Sequence, residues 1–280
     1  MRINNKLEEE SFRYTTEKAS MNVRSDEIEK LREINEYCRN IKPEKEELSF
    51  NDSIWDVEVE MGVPLSEWLF SGRGHGHQDD KDKILEIIGK KPEKKIESEQ
   101  KEISVALGEW QGAASDQSQY IEKRRNILAG ISDVEEYYEF MPSCFMKCKF
   151  AENILEEMKY IKDFPKHTEE ITENLAVLND NALDLYEKYH DNLSEAVKIL
   201  SAKILECSND PNHRNQLVFK FAYEQSQDAE KELAYVEIEC SPHLKLIRKD
   251  SNLRIYFYWK DDRIGNGKKV LIGRIGRHPY

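Results

Sequence analysis

The spacing of apolar positions changes several times along this chain, and the changes outline an architecture. Residues 1–24 are polar and mixed in charge with no sustained period, which predicts a flexible leader, or an arm that orders on a partner. From Ser25 a helical period begins. Ile28, Leu31, Ile34 and Cys38 form one apolar stripe, Ser25 can cap the start, Glu27 and Glu29 suit the first turn, and Pro43 lies just past the end. Over residues 54–61 the period shortens to two, which predicts a short strand. Residues 64–70 and 79–91 read as helices, KKPEKKIESEQKE as a charged connector, and EISVALGEW as a strand. A long helical region follows, from about residue 117 to 207, broken near Gly130, Pro142 and Pro165. Its last two helices cover roughly 167–190 and 192–207.

From about Leu217 the period becomes two. LVFKFAY, AYVEIEC, HLKLIR, LRIYFYW and KKVLIGRI read as five short strands. SQDAEKE loops between the first two, Pro242 breaks the second from the third, and Asn266-Gly267 is a turn between the last two. The expected fold class is α+β, with a mostly helical N-terminal two-thirds and a small antiparallel β-sheet at the C-terminus packed on helices. Three segments are expected: a leader at 1–24, a mostly α-helical regulatory or docking region at 25–165, and an α+β domain at 166–280.

Charge sharpens this division. The last 38 residues hold ten Lys and Arg against three Asp, a net of +7 in a chain of net −13, so the residues before them carry −20. Contact with a polyanion is therefore expected at the C-terminal strands, because the acidic remainder repels nucleic acid. No apolar run approaches the roughly 18 residues of a membrane span, and the N-terminus has no apolar signal core, so a cytoplasmic protein is expected. Cys38, Cys144, Cys148, Cys207 and Cys240 are odd in number and irregular in spacing, which predicts reduced thiols. Cys144 and Cys148, four apart, have no second pair to complete a zinc site.

RGHGHQDDKD places His75, His77, Asp79, Asp80 and Asp82 close together, and its H-x-H-x-D matches the opening of the metallo-β-lactamase motif. The match stops there, since Asp80 stands where a further His is needed. The segment is better read as a solvated loop whose Asp79 or Asp80 caps the next helix, and no metal or cofactor is expected. G-x-S-x-G, P-loop and H-E-x-x-H signatures are absent.

Strand alternation divides LRIYFYWK into two faces. Leu253, Ile255, Phe257 and Trp259 fall on one, and Arg254, Tyr256, Tyr258 and Lys260 on the other. HLKLIRK adds Lys245, Arg248 and Lys249. Cations can hold phosphates and phenols can stack bases, so Arg248, Lys249, Tyr256, Tyr258 and Lys260 are candidate RNA contacts.

The sequence of a basic strand (HLKLIR), a strand of type LRIYF, a hairpin and an apolar strand closing in a Gly-basic-His segment (VLIGRIGRH) resembles the RelE/ParE superfamily of bacterial toxins. The resemblance covers the C-terminal third of the chain at most. It implies a small sheet behind two helices, preceded by a strand that the periodicity here does not show. It also implies, in the RelE branch, RNA cleavage without a metal, usually of mRNA on the ribosome. Carried over by position, Lys245 or Arg248 would match the basic residue of the second strand and Arg254 the arginine of the third. Arg277 or His278 would match the basic residue after the fourth, and Tyr280 the tyrosine near the C-terminus. These five positions, Lys245, Arg254, Arg277, His278 and Tyr280, are the candidate catalytic residues.

The resulting expectation is a toxin-type effector of a bacterial toxin–antitoxin or phage-defence system. RNA or the ribosome would meet the basic sheet. An antitoxin or another subunit would dock on the acidic helices. The alternative is a non-catalytic interaction protein whose acidic helices form the docking surface, and a third class is an acidic mimic of nucleic acid.

Overall fold

The computed structural model describes residues 3–15, 17–42, 45–71, 77–89, 101–203, 206–209, 214–227, 230–246 and 252–279. The chain forms two compact units, residues 1–127 and 128–280. In chain order the first contains β1 (Ile3–Leu7), α1 (Ser25–Asn40), β2 (Leu48–Ser49), β3 (Glu58–Glu60), β4 (Val63–Pro64), α2 (Leu65–Phe70), α3 (Gln78–Ile88), β5 (Lys101–Val105) and most of α4 (Gln117–Ala129).

The expected leader is not one. β1 is the central strand of a parallel sheet of order β2-β1-β5, paired from Ile3↔Lys101 to Leu7↔Val105 on one side and at Asn5↔Leu48 on the other. Its period was hidden because Asn5 occupies a core position between Ile3 and Leu7, and all three are buried. Asn5 is satisfied by residues distant in sequence. Its side-chain amide donates to Glu46 at 2.9 Å, and its carbonyl accepts from the Tyr120 hydroxyl at 2.7 Å. Arg124, fully buried, grips both Glu46 oxygens at 2.6 and 3.1 Å and also donates to Tyr120 at 3.0 Å. The first unit is therefore an α/β layer rather than a helical region.

Other local expectations shift for identifiable reasons. The α1 stripe is buried as predicted, but Ser25 is its first helical residue rather than its cap and bonds to Asp80 instead. Residues 52–56 form a 3-10 turn, leaving only β3 of the strand expected at 54–61. α3 follows His77 with no side-chain cap, and Asp79 and Asp80 lie inside its acidic first turn.

The second unit contains α5 (Val134–Cys144), β6 (Cys148–Phe150), α6 (Ile154–Lys159), α7 (Thr168–Tyr189), α8 (Leu193–Lys203), β7 (Cys207–Asn209), β8 (Val218–Gln227), β9 (Glu230–Glu239), β10 (Pro242–Lys245), β11 (Leu253–Tyr258) and β12 (Val270–Arg277). α7 matches the first of the two helices read from sequence, while α8 ends at Lys203 and Cys207, expected at the end of the second helix, begins β7. The boundary expected at 165/166 falls instead at 127/128, because β6 pairs with β12 and so ties residues 148–150 to the C-terminal strands. β6 also interrupts the long helical region.

The principal sheet has the order β6-β12-β11-β10-β7. It is mixed rather than wholly antiparallel, since β6 runs parallel to β12 at Val270↔Cys148. β8 and β9 are a separate hairpin of two ten-residue strands, paired from Val218↔Glu239 to Gln227↔Glu230. The hairpin's base reaches the sheet through Phe219, which lies against Gly273 of β12. α7 packs on β12 and α8 on β7, and the Tyr186 and Trp259 rings lie 6.4 Å apart. The β11–β12 turn uses Asn266 at φ 55°, as Asn-Gly predicts.

The start of α5 offers a clean test of local energetics. The Asp133 carboxylate accepts from the backbone N–H groups of Glu135 and Glu136 at 3.0 and 2.8 Å, so two orphan donors of the first turn are satisfied. Asp133→Ala is expected to cost about 1 kcal/mol in chemical denaturation, with Asp133→Asn losing less. Among the described residues no helix is long and apolar enough to cross a membrane.

Candidate functional site

Cross-strand registers, rather than alternation along one strand, define the face that carries chemistry. Directly paired residues share a face. Ser208↔His243, His243↔Tyr256 and Tyr256↔Arg274 therefore make one row across β7, β10, β11 and β12. Lys245↔Arg254 and Arg254↔Gly276 make the next row on the same face. His278 returns to that side just beyond β12, where its backbone N–H donates to the Asn252 carbonyl at 2.8 Å.

The floor of this face is a cluster of three rings. His243 and Tyr256 lie 4.9 Å apart between centroids, His278 is 6.2 Å from Tyr256, and the two imidazoles are 6.4 Å apart. Tyr256 is fully buried and His243 nearly so, while His278 and Arg254 are partly exposed. Burial corrects the expectation that Tyr256 offers a free stacking surface. His243 Nδ1 is 3.3 Å from the Ser241 carbonyl, which can only accept, and Nε2 is 2.9 Å from the Ser208 hydroxyl. In the neutral ring, Nδ1 therefore carries the proton and Nε2 accepts from Ser208.

The cations around the floor have carboxylate neighbours. Lys245 pairs with Glu206 at 2.7 Å, and Arg274 pairs with Glu157 of α6 at 2.7 Å. The hydrogen bond from Lys245, helped by its charge and that of Arg254, holds the Glu206 carboxyl below the usual carboxylate range. Lys245 and Arg254 are directly opposite like charges, an arrangement that disfavours the sheet unless anions compensate. The adjacent thiol offers no nucleophile at neutral pH, since burial pushes Cys207 up to about 12.

Three expected site residues do not join the cluster. Arg277 pairs with Leu253, so it shares the apolar residue's face, and it is exposed there at the strand end. The register shifts between Tyr256 and Phe257, which breaks the alternation beyond Tyr256. Lys260 lies 5.5 Å from the Tyr186 ring and pairs with Asp262 at 3.6 Å. Tyr258 is half-buried, and burial, then the nearby Tyr186 and Asp261, raise its hydroxyl above the ordinary value. Both belong to the α7 side of the unit. Arg248, Lys249 and Tyr280 lie outside the described residues. His243, Ser208, Arg274 and Glu157 were not singled out from sequence. Parity alone places His243 with Lys245 and Arg274 with His278, but only the registers connect the two strands.

Elsewhere the chemistry read from sequence is tied up structurally. Lys83 bridges Asp79 at 2.7 Å and Glu29 at 3.0 Å, and Gln78 donates to Asp82 at 2.8 Å, while His75 lies outside the described residues. In the first unit, the carboxyl ends of β1 and β5 form the kind of switch point where open parallel sheets bind ligands. Beyond those ends Arg24, buried, ties the following segments together, donating to the Ser11 and Leu107 carbonyls at 3.1 and 2.6 Å and to Glu27 at 2.6 Å.

Comparison with protein-family profiles, with curated proteins and with solved structures finds no match to this chain.

Proposed function

We propose that the second unit is a RelE-like module that engages RNA through the Lys245–Arg254–His278 face and cleaves it without a metal ion. The chain would then act as a toxin-type effector in a bacterial toxin–antitoxin or phage-defence setting. The observation that carries this reading is the convergence of two cross-strand cations and two imidazoles on one face. The order of elements supports it as well, because β6 supplies a strand ahead of the helices, where the RelE/ParE resemblance calls for one.

The chemistry is self-consistent. Arg254 and Lys245 hold the scissile phosphate and neutralise the charge of its phosphorane. A base removes the proton of the 2′-hydroxyl, the 2′-oxygen bonds to phosphorus, and the bond to the 5′-oxygen breaks as that oxygen takes a proton from an acid. The products are a 2′,3′-cyclic phosphate and a 5′-hydroxyl. His278 is the accessible imidazole for one proton transfer. His243, held by Ser208 and Ser241, lies beneath it.

The test is cleavage of end-labelled single-stranded RNA, alone and on ribosomes, in the presence of a chelator. Arg254→Ala and His278→Ala are each expected to lower the rate by about 10²-fold or more. Arg263→Ala, which removes an equal charge from an exposed residue paired with Asp261, serves as the control. Wild-type protein that leaves RNA intact under every condition, and harms no host that expresses it, would sink the ribonuclease reading. The burial of Tyr256 and His243 favours a second reading, in which the sheet is structural and the protein is a non-catalytic partner-binding protein with an acidic helical docking surface.

A further inference from the structure

The two ion pairs that border the ring cluster have a consequence for how the face is used. Arg274 and Lys245 lie on either side of Arg254, one on β12 and the other on β10, and each meets a carboxylate of the same unit at 2.7 Å. The Arg274–Glu157 pair is largely shielded, with 16% and 24% of the side chains exposed. Glu157 is held in place by its helix, because Ile154 and Met158 of α6 are fully buried. β12 accommodates the helix through Gly276, where a Cβ would come within 3.4 Å of the Glu157 carbonyl oxygen. Glu206 reaches the same face from the other edge, its backbone carbonyl accepting from Lys245 N–H at 3.0 Å. A carboxylate on a guanidinium or ammonium is the closest side-chain equivalent of a phosphate oxygen on that cation.

We infer that Glu157 and Glu206 are built-in phosphate substitutes that restrain this face, so that an RNA backbone must displace them to reach Arg274 and Lys245. This rests on the reading of the face as RNA-binding. Engagement of these two cations follows only when the carboxylates swing away. The restraint sets both affinity and the number of cations that the RNA neutralises.

The experiment is fluorescence anisotropy with a short, mixed-sequence, fluorescein-labelled single-stranded RNA, across a salt titration, on the full chain. The double variant Glu157→Gln/Glu206→Gln frees two cations and is expected to bind about tenfold tighter at low salt, with a log–log salt slope steeper by about 1.4. Glu156→Gln removes a charge from the same helix but from a carboxylate that faces Lys159 at 3.4 Å. It is expected to leave the slope unchanged. Glu206 stands outside any helix and is half-exposed, so Glu206→Gln alone, expected to shift the slope by about 0.7, carries the test if the α6 variant unfolds. If wild type binds, loses binding on Arg254→Ala, and the double variant matches wild type in affinity and slope, the restraint is wrong and the RNA-binding reading stands. If neither wild type nor the double variant binds, both fall. Tightening by Glu156→Gln as large as that by Glu206→Gln would reduce the effect to net charge and overturn the inference.

Discussion

Arg124→Met is expected to destabilise the first unit by about 3–5 kcal/mol, the usual cost of removing one partner from a buried ion pair. The guanidinium is fully buried and holds the Glu46 carboxylate by two hydrogen bonds while donating to Tyr120. Removing it leaves the Glu46 carboxylate without its cation, though still accepting from the Asn5 amide, in a site where its side chain is 10% exposed. Arg124→Lys keeps the charge but loses the planar fork, so it is expected to recover only part of the loss. Three of the four tryptophans, Trp55, Trp68 and Trp110, lie in residues 1–127, so urea unfolding followed by tryptophan fluorescence reads chiefly this unit. A midpoint unchanged from wild type would mean that the network contributes nothing to stability. Glu46→Gln gives a second reading of the same network, because it keeps the acceptor for Asn5 and removes only the charge that Arg124 neutralises.

Gly273→Ala is expected to cost about 1–3 kcal/mol through overpacking, and to displace the β8–β9 hairpin from the sheet. A Cβ at this position would lie 2.3 Å from Phe219 Cδ2 and 2.9 Å from Cys240 Sγ, both on buried side chains with little room to move. The glycine falls where the β11–β12 register shifts, between Arg274 opposite Tyr256 and Ile272 opposite Phe257. It has no partner in that ladder and permits the ring of Phe219 to approach the backbone. Phe219→Leu in the Gly273→Ala background removes the nearest atoms and is expected to restore part of the stability, a coupling that a double-mutant cycle measures directly. Full additivity of the two changes would show that the contact with Phe219 is not the cause.

The two positions differ in what their sequence context reveals. Gly273 interrupts VLIGRIG, and a glycine inside a strand pattern already points to a bulge or a close backbone approach. Which residue approaches depends on a hairpin some fifty residues earlier. Arg124 carries no comparable mark. It sits on a helix rich in charged residues, and its burial follows from Glu46, Asn5 and Tyr120, which reach it from β1, α4 itself and the segment before β2. The same asymmetry affects the candidate site. Alternation within one strand correctly associates Arg254 with Tyr256, but it carries Tyr258 and Lys260 along with them, because a register shift leaves no trace in a period-two pattern. Arg277 differs for a related reason. The resemblance offers Arg277 or His278 for one basic position, and pairing with Leu253 puts Arg277 on the opposite face.

Local periodicity and turn chemistry determined much of this protein without reference to anything distant. α1, α2, α3, α7, α8, the five C-terminal strands and the Asn266-Gly267 turn are each encoded by spacing within a dozen or so residues, so the interactions that select them are short-range. The concentration of positive charge at the C-terminal end is likewise a property of composition. Tertiary structure decided the rest. β1 became a central strand because its polar core residue is satisfied by residues some 40 and 115 positions away. β6 became a strand because the edge of β12 was open to it. The row of Ser208, His243, Tyr256 and Arg274 exists only where four strands come into register, since hydrogen-bonded pairing across strands, unlike the pleat within one, is chosen by the packing of the whole sheet.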